Sequence, residues 1–284
     1  MPTQFTFDFD SIRTARAPGL KVAFRSGMSR SKDFWAAADA GLPVGVVATE
    51  LTPAAIFNGL PAYLRKGGFI FIDSGAFAEL TTGEEPDFDR VLRVYESLAD
   101  RYGCEEYAGN LYVVAPDKVG DQLATLDRLA KYADRVRALI EAGCKVIVPI
   151  QRGVIPAAEM LARAAAVLGT DRFVAGIPSN KEAMSHAECA TLKHHAYHIL
   201  GRVQMNQDQI ERLQALTERN PDAEITADAN WLRSRLGTVC KIADQVRLER
   251  MTAPKGDGAL SFMSSRQVAI RAVLQQDTAL GIAA

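Results

Sequence analysis

Short β-branched, apolar runs recur along this chain, each followed by a longer stretch with helical spacing. Eight such runs are predicted as strands: Lys21–Arg25, Val44–Thr49, Phe69–Asp73, Leu111–Asp117, Lys145–Gln151, Arg172–Pro178, Ala196–Gly201 and Ala223–Asp228. Most are almost uninterrupted in apolar residues, the pattern of parallel strands covered on both faces. The intervening segments carry helix punctuation. Thr52-Pro53 supplies an N-cap and a proline at the first helical position, with a stop at Gly67-Gly68. Asp87 caps a helix through Leu92, Tyr95 and Leu98 to Gly103. Asp121 caps another, with Leu123, Leu126, Leu129, Tyr132 and Val136 on one face before Gly143. Pro156 opens a third that ends near Gly169. Eight βα units without a Pro/Ser-rich linker or a charge run predict an α/β fold, a single closed (β/α)8 TIM barrel over 1–284. The barrel core spans about 20–235, and helices at Thr238–Arg250 and Ser264–Gln275 form a C-terminal extension over about 236–284. An open doubly wound sheet is the runner-up. It is disfavoured because Phe24-Arg25-Ser26-Gly27 after the first strand has too few glycines for a dinucleotide fingerprint.

Composition narrows the class. The 284 residues are 48% apolar and 24% charged, as in ordinary globular proteins, which excludes fibrous and disordered chains. No apolar run approaches the roughly 18–20 residues of a membrane helix, and Met1–Asp10 lacks a signal-peptide layout. The reading is therefore a cytoplasmic protein with no membrane partner. With 33 basic against 34 acidic side chains, nothing draws the whole molecule to nucleic acid, so such binding requires a local basic patch. Cys104, Cys144, Cys189 and Cys240 stand singly, without a CxxC pair, and read as reduced thiols rather than a zinc cage. His194, His195 and His198 cluster in sequence, which invites a metal reading. Placement of His194 and His195 at a helix C-terminus, where the dipole favours them, is preferred. No metal and no cofactor are expected.

In a barrel, chemistry sits where strands end and βα loops begin. The third strand ends in Asp73-Ser74-Gly75-Ala76-Phe77, the fourth in Ala115-Pro116-Asp117, and the fifth in Gln151-Arg152-Gly153. The sixth ends in Ala175-Gly176-Ile177-Pro178, the seventh in Leu200-Gly201 and the eighth in Ala227-Asp228-Ala229-Asn230. Taken singly, Asp73 and Asp117 could merely cap helices, and the glycines could merely turn the chain. Gln151, an amide after an apolar strand, needs a partner. Three carboxylates round one mouth repel one another, which is the usual setting of acid–base or nucleophilic work.

These segments resemble the guanine transglycosylases, the queuine tRNA-ribosyltransferase-like enzymes that exchange a base in tRNA. Phe71-Ile72-Asp73-Ser74-Gly75-Ala76-Phe77 resembles their DSGGF/Y, Gln151-Arg152-Gly153 their QGG, and Ala175-Gly176-Ile177-Pro178 their GGL. Asp117 falls at the family's base-recognising aspartate and Asp228 at its nucleophile. The match covers roughly residues 20–235. It departs at Ala76, and in lacking the Cys-rich zinc subdomain after the eighth strand. The shorter, zinc-free chain is more similar to the DNA 7-deazaguanine transglycosylases of phages and genomic islands, as is Val113–Asp121.

The resemblance implies replacement of guanine in a polynucleotide, DNA ahead of tRNA, by a 7-deazaguanine base such as preQ0 or preQ1. Asp228 would be the nucleophile and Asp73 the acid and base. Ser74, Asp117, Gln151 and Gly176 would hold the base; Tyr112, Phe77 or Met205 could sandwich it, with ordinary core packing the preferred role for each. Lys118, Arg152, Lys181, Arg202, Arg233 and Arg235 would meet phosphates of a flipped or single-stranded substrate. Two other readings compete. A barrel glycoside hydrolase is disfavoured by 7% aromatic residues, with Trp231 the lone sugar platform. A silent nucleic-acid-binding paralogue would need neither Asp73 nor Asp228.

Overall fold

The computed structural model describes residues 20–102, 107, 109–179, 183–201, 206–229, 231–252 and 263–279. Eight parallel strands close into a barrel in chain order: β1 Leu20–Arg25, β2 Val44–Val47, β3 Ile70–Asp73, β4 Leu111–Val114, β5 Lys145–Pro149, β6 Val174–Pro178, β7 Ala196–Leu200 and β8 Glu224–Ala229. The protein is thus a (β/α)8 TIM barrel, as the alternation of apolar runs predicts. Each predicted run holds one strand. β2, β4, β5 and β7 stop one to three residues earlier than predicted, where the βα loops take over. β1 is clasped mainly by β8, through five register pairs from Leu20↔Ile225 to Arg25↔Ala229. It meets β2 at Arg25↔Val44 alone.

Side-chain alternation divides the core in two. Phe24, Phe71, Tyr112, Val114, Ile147, Val174 and Ala196 fill the barrel interior. Their outward neighbours, such as Val46, Ile72, Val113, Val148, Ala175 and Ile199, pack under the helices in a larger continuous cluster. The interior also holds His198, fully buried, stacked on Phe71 at 4.8 Å with its Nδ1 2.7 Å from Thr226 Oγ1. Burial lowers its pKa to about 3 and keeps the ring neutral.

The helices follow their caps. Thr52 Oγ1 accepts from Ala55 N–H, Asp87 Oδ1 from Arg90 N–H, and Asp121 Oδ1 from Ala124 N–H. They open, in turn, the helical segment 53–64 (which includes α2, Leu60–Leu64), α4 (Phe88–Tyr102) and α5 (Gln122–Lys131). The helix predicted to run from Asp121 to Gly143 breaks at Tyr132 (φ −109°, ψ 13°), so that α6 (Ala133–Glu141) is separate. The buried face of α5 is Gln122, Thr125, Arg128 and Leu129, while Leu123 is 59% exposed, against the predicted apolar stripe. α7 (Ala157–Leu168), α8 (His186–Cys189) and α9 (Gln207–Arg219) follow in order.

His194 and His195 lie in the loop entering β7, beyond the end of α8, and not at a helix C-terminus. His194 Nε2 is 2.7 Å from Phe173 O, which gives the ring a packing role. No group of three metal-ligating side chains occurs among the described residues. Cys144 and Cys189 are buried thiols, Cys240 is exposed, and Cys104 lies outside the described residues.

After β8 the chain forms α10 (Trp231–Thr252) and α11 (Ser265–Ala279). α11 packs against α10 and against α1 (Ser31–Ala38) at the other end of the chain. The buried Asp33 of α1 accepts a two-pronged bond from Arg266 of α11 (2.7 and 2.9 Å). Among the described residues no helix is long and apolar enough to cross a membrane.

Candidate active site

The C-terminal ends of β3, β4 and β8 bring Asp73, Asp117 and Asp228 to one mouth. Asp73 keeps partial exposure. Its Oδ1 accepts from Gly75 N–H at 2.6 Å, closing a turn instead of capping a helix. Gly75 takes φ +83°, a left-handed conformation glycine adopts without penalty. Ala76 begins a short 3-10 turn (Ala76–Ala78), so alanine fits where the resembled motif has a second glycine. Ser74 is buried, its Oγ accepting from Ala76 N–H.

Asp117 is buried and is no helix cap either. Gln151 Nε2 donates to its Oδ2 at 2.8 Å, while Gln151 Oε1 accepts from Gly120 N–H at 2.9 Å. Gln122 braces this pair from behind, its Nε2 donating to the backbone oxygens of Gln151 and Ile155. The partner that Gln151 requires is therefore Asp117. Asp228 is also buried, with Oδ1 accepting from Gly201 N–H at 2.7 Å. The Ser26 hydroxyl faces this carboxyl and favours its charge, without closing a hydrogen bond of regular geometry.

Burial dominates the proton affinity of all three carboxyls. It raises Asp73, with Glu50 adding to the effect and the Gly75 N–H opposing it. It pushes Asp117 up to about 7, helped by the negative charge of Asp73 and opposed by Gln151 and Arg128. It lifts Asp228 well above the usual carboxylate range, again helped by Asp73. Asp73 thus faces both of the others, and ionising one of the three resists ionising the next. A site of this kind raises the proton affinity of its carboxyls above the ordinary range.

At Gly176 a Cβ would stand 2.7 Å from Leu200 Cδ1, 3.0 Å from Ile147 Cγ2 and 3.1 Å from Pro149 Cα. Glycine is required there because Leu200, Ile147 and the Pro149 backbone already fill the space a side chain would take. The chemistry lies at the barrel mouth. A cavity of about 340 Å3 between α1 and residues 51–62, lined by Met28, Phe34, Trp35 and Leu51, contains none of the three aspartates.

The remaining predicted residues separate. Arg152 is exposed just past Gln151, and Arg233 is exposed on α10. Phe77, 66% exposed, stands on the rim beside Asp73. Lys118 is 3.8 Å from Glu79 and is already paired. Arg235 bonds Asp277 of α11 at 3.0 Å, which makes it a clasp between the two C-terminal helices rather than a phosphate contact. Tyr112 is buried in the interior with its hydroxyl donating to Glu224, which opens the N-terminal end of β8, so its ring cannot sandwich a base at the mouth. Lys181, Arg202 and Met205 lie outside the described residues, as does the side chain of Trp231. Sequence reasoning missed Ser26, Glu50 and Arg128. Arg128 carried a signal, since it falls on the buried side of a helix.

No family model and no curated protein matches the chain. Among solved structures it is similar to the D-psicose 3-epimerase of Clostridium cellulolyticum H10 with D-tagatose, at 11% identity and TM-score 0.48, covering 92% of this chain and 99% of that one. An L-ribulose 3-epimerase is similar at 14% identity and TM-score 0.48, covering 93% and 95%. The fructose-bisphosphate aldolase of Campylobacter jejuni follows at 11% and 0.48, covering 97% and 93%. All three are enzymes, and none is a base-exchange enzyme. At these identities the likeness extends to barrel architecture only, and their substrates say nothing of this site.

Proposed function

We propose that this protein is a pentosyltransferase that exchanges guanine in a polynucleotide, DNA ahead of tRNA, for a 7-deazaguanine base. The observation that carries the reading is the Asp117–Gln151 pair set beside two carboxyls that compete for charge. Asp117 offers an acceptor to the N1–H and 2-amino donors of guanine. Gln151 orients that carboxyl and offers an amide of its own.

Asp228 would attack C1′ of the sugar as the bond to guanine breaks, forming a glycosyl ester. Asp73 would give its proton to the departing base, a role that suits its raised proton affinity. A proton on Asp73 also removes the charge that opposes ionisation of Asp228, and the Gly201 N–H then stabilises the carboxylate. In the second half the incoming base would return a proton to Asp73 and displace Asp228, retaining configuration at C1′. Of the six predicted phosphate contacts, Arg152 and Arg233 are the described ones with no carboxylate partner.

Labelled guanine supplied with DNA and, separately, with tRNA tests the reading. Wild-type protein should incorporate label into DNA and form a covalent adduct, and Asp228→Asn should do neither. Label entering tRNA alone would move the substrate to the alternative. No label in either, together with unmodified nucleosides after co-expression with the 7-deazaguanine pathway, would remove base exchange. Nucleic-acid binding without exchange would leave the silent paralogue.

A further inference from the structure

The mouth contains a second polar assembly that the reaction above does not use. Arg128 rises from α5 and is 8% exposed. Its Nη1 donates to the backbone oxygen of Asp117 at 2.6 Å and to Glu79 Oε2 at 2.8 Å. Its Nη2 donates to Glu79 Oε1 and to Glu85 Oε2, each at 3.0 Å. The guanidinium also lies 5.3 Å from the centre of the Phe88 ring. Glu79 opens the short helix α3 (Glu79–Thr82) that follows the Asp73 turn, and Glu85 precedes α4.

One side chain thus bridges the loop that carries Asp73 and the turn that carries Asp117. A planar fork saturated by four oxygens fixes position more firmly than a lysine could. The same turn is held from α5 a second time, Lys118 and Thr125 exchanging bonds of 3.0 Å.

We infer that Arg128 is the positioning residue of the mouth: its fork fixes the Asp117 turn against the Asp73 loop, and with Glu79 it sets two opposite charges beside Asp117. The charged and titratable groups facing Asp117 are Asp73 from β3, Tyr95 from α4, Glu79 from α3 and Arg128 from α5, with Lys118 neutralising Glu79 from its side. Arg128 favours the charged form of Asp117 and Glu79 disfavours it, so the pair acts on Asp117 with opposite signs. The bearing on base recognition rests on the reading above, but the placement of Asp117 does not.

The opposition of signs gives a test that a purely structural brace would fail. The Asp117 carboxyl can be followed by carbon-13 NMR across pH in the full chain, assigned with Asp117→Asn. Arg128→Met should raise its titration midpoint by about one pH unit, and Glu79→Gln should lower it by a similar amount. If Arg128 only braces the loops, both substitutions admit water and both lower the midpoint. Shifts in the same direction, or none, overturn the inference. Should Arg128→Met not fold, Arg128→Lys replaces it. Lysine keeps the charge and loses the fork, so amide hydrogen exchange in the Asp117 turn should quicken while the midpoint moves less than in Glu79→Gln, and exchange at the wild-type rate overturns the inference. Failure of base exchange leaves all these outcomes readable.

Discussion

Asp117 illustrates how a buried carboxyl costs the fold. Its carboxyl titrates at about 7 in the folded protein and near 4 in the unfolded chain. Between those values the folded state holds the extra proton, so stability falls as pH rises from about 4 to about 7 and stays lower above that window. Asp117→Asn removes its share of the dependence and leaves that of Asp73 and Asp228. The variant should melt above wild type at pH 8, by on the order of a few kcal/mol, and the gap should close towards pH 4. Equal pH profiles of melting temperature would show that Asp117 is not held protonated. The same titration should give kcat/KM for base exchange an acid limb near pH 7, since a protonated Asp117 turns one oxygen into a donor and can no longer accept from both guanine donors. Gly176 has the converse character, a residue defined by what it lacks. Leu200 and Ile147 could yield to an added methyl, but Pro149 Cα is backbone. Gly176→Ala should cost about 1–3 kcal/mol in urea unfolding and weaken base binding more than it weakens the fold.

At the scale of elements, the strands and caps were readable because each depends on a local rule. Continuous apolar runs mark strands buried on both faces, and Thr52, Asp87 and Asp121 cap as their side chains dictate. The break at Tyr132 was not readable, because Leu129, Tyr132 and Val136 are all buried and keep helical spacing across it. Within the site, the three aspartates and Gln151 were visible as strand ends. Their pairing was not, because Gln151 with Asp117 and Gly201 with Asp228 join residues 34 and 27 positions apart. Arg235 was misread for the same reason: its partner, Asp277, is 42 residues further on. Long-range pairing also decides stability at the outer helices. Arg266→Ala would strand the buried Asp33 carboxylate and should cost about 2–4 kcal/mol, measured by urea unfolding. A double change to leucine at both positions should recover much of that loss, and equal losses in the two variants would show that the charge is not the cause.

For the whole molecule, a net charge of −1 requires that any polynucleotide be held by a few local cations. With Lys118 and Arg235 paired, Arg152 and Arg233 are the described members of the predicted set left to meet it. Changing either to alanine should reduce the salt slope of DNA affinity by about one and leave melting temperature unchanged. An unaltered slope in both would place the phosphate path elsewhere on the barrel.

The lopsided attachment of β1 has a consequence for how the molecule comes into being. Its principal partner, β8, follows the other seven strands, and the helix that locks α1 follows β8. During synthesis the opening strand must therefore wait, tied to β2 at one position, until the chain has passed residue 229. Asp73 and Asp117 cannot meet Asp228 before that moment. The barrel gains its closure and its chemistry in one late step, and contacts that span more than 200 residues make that step slow.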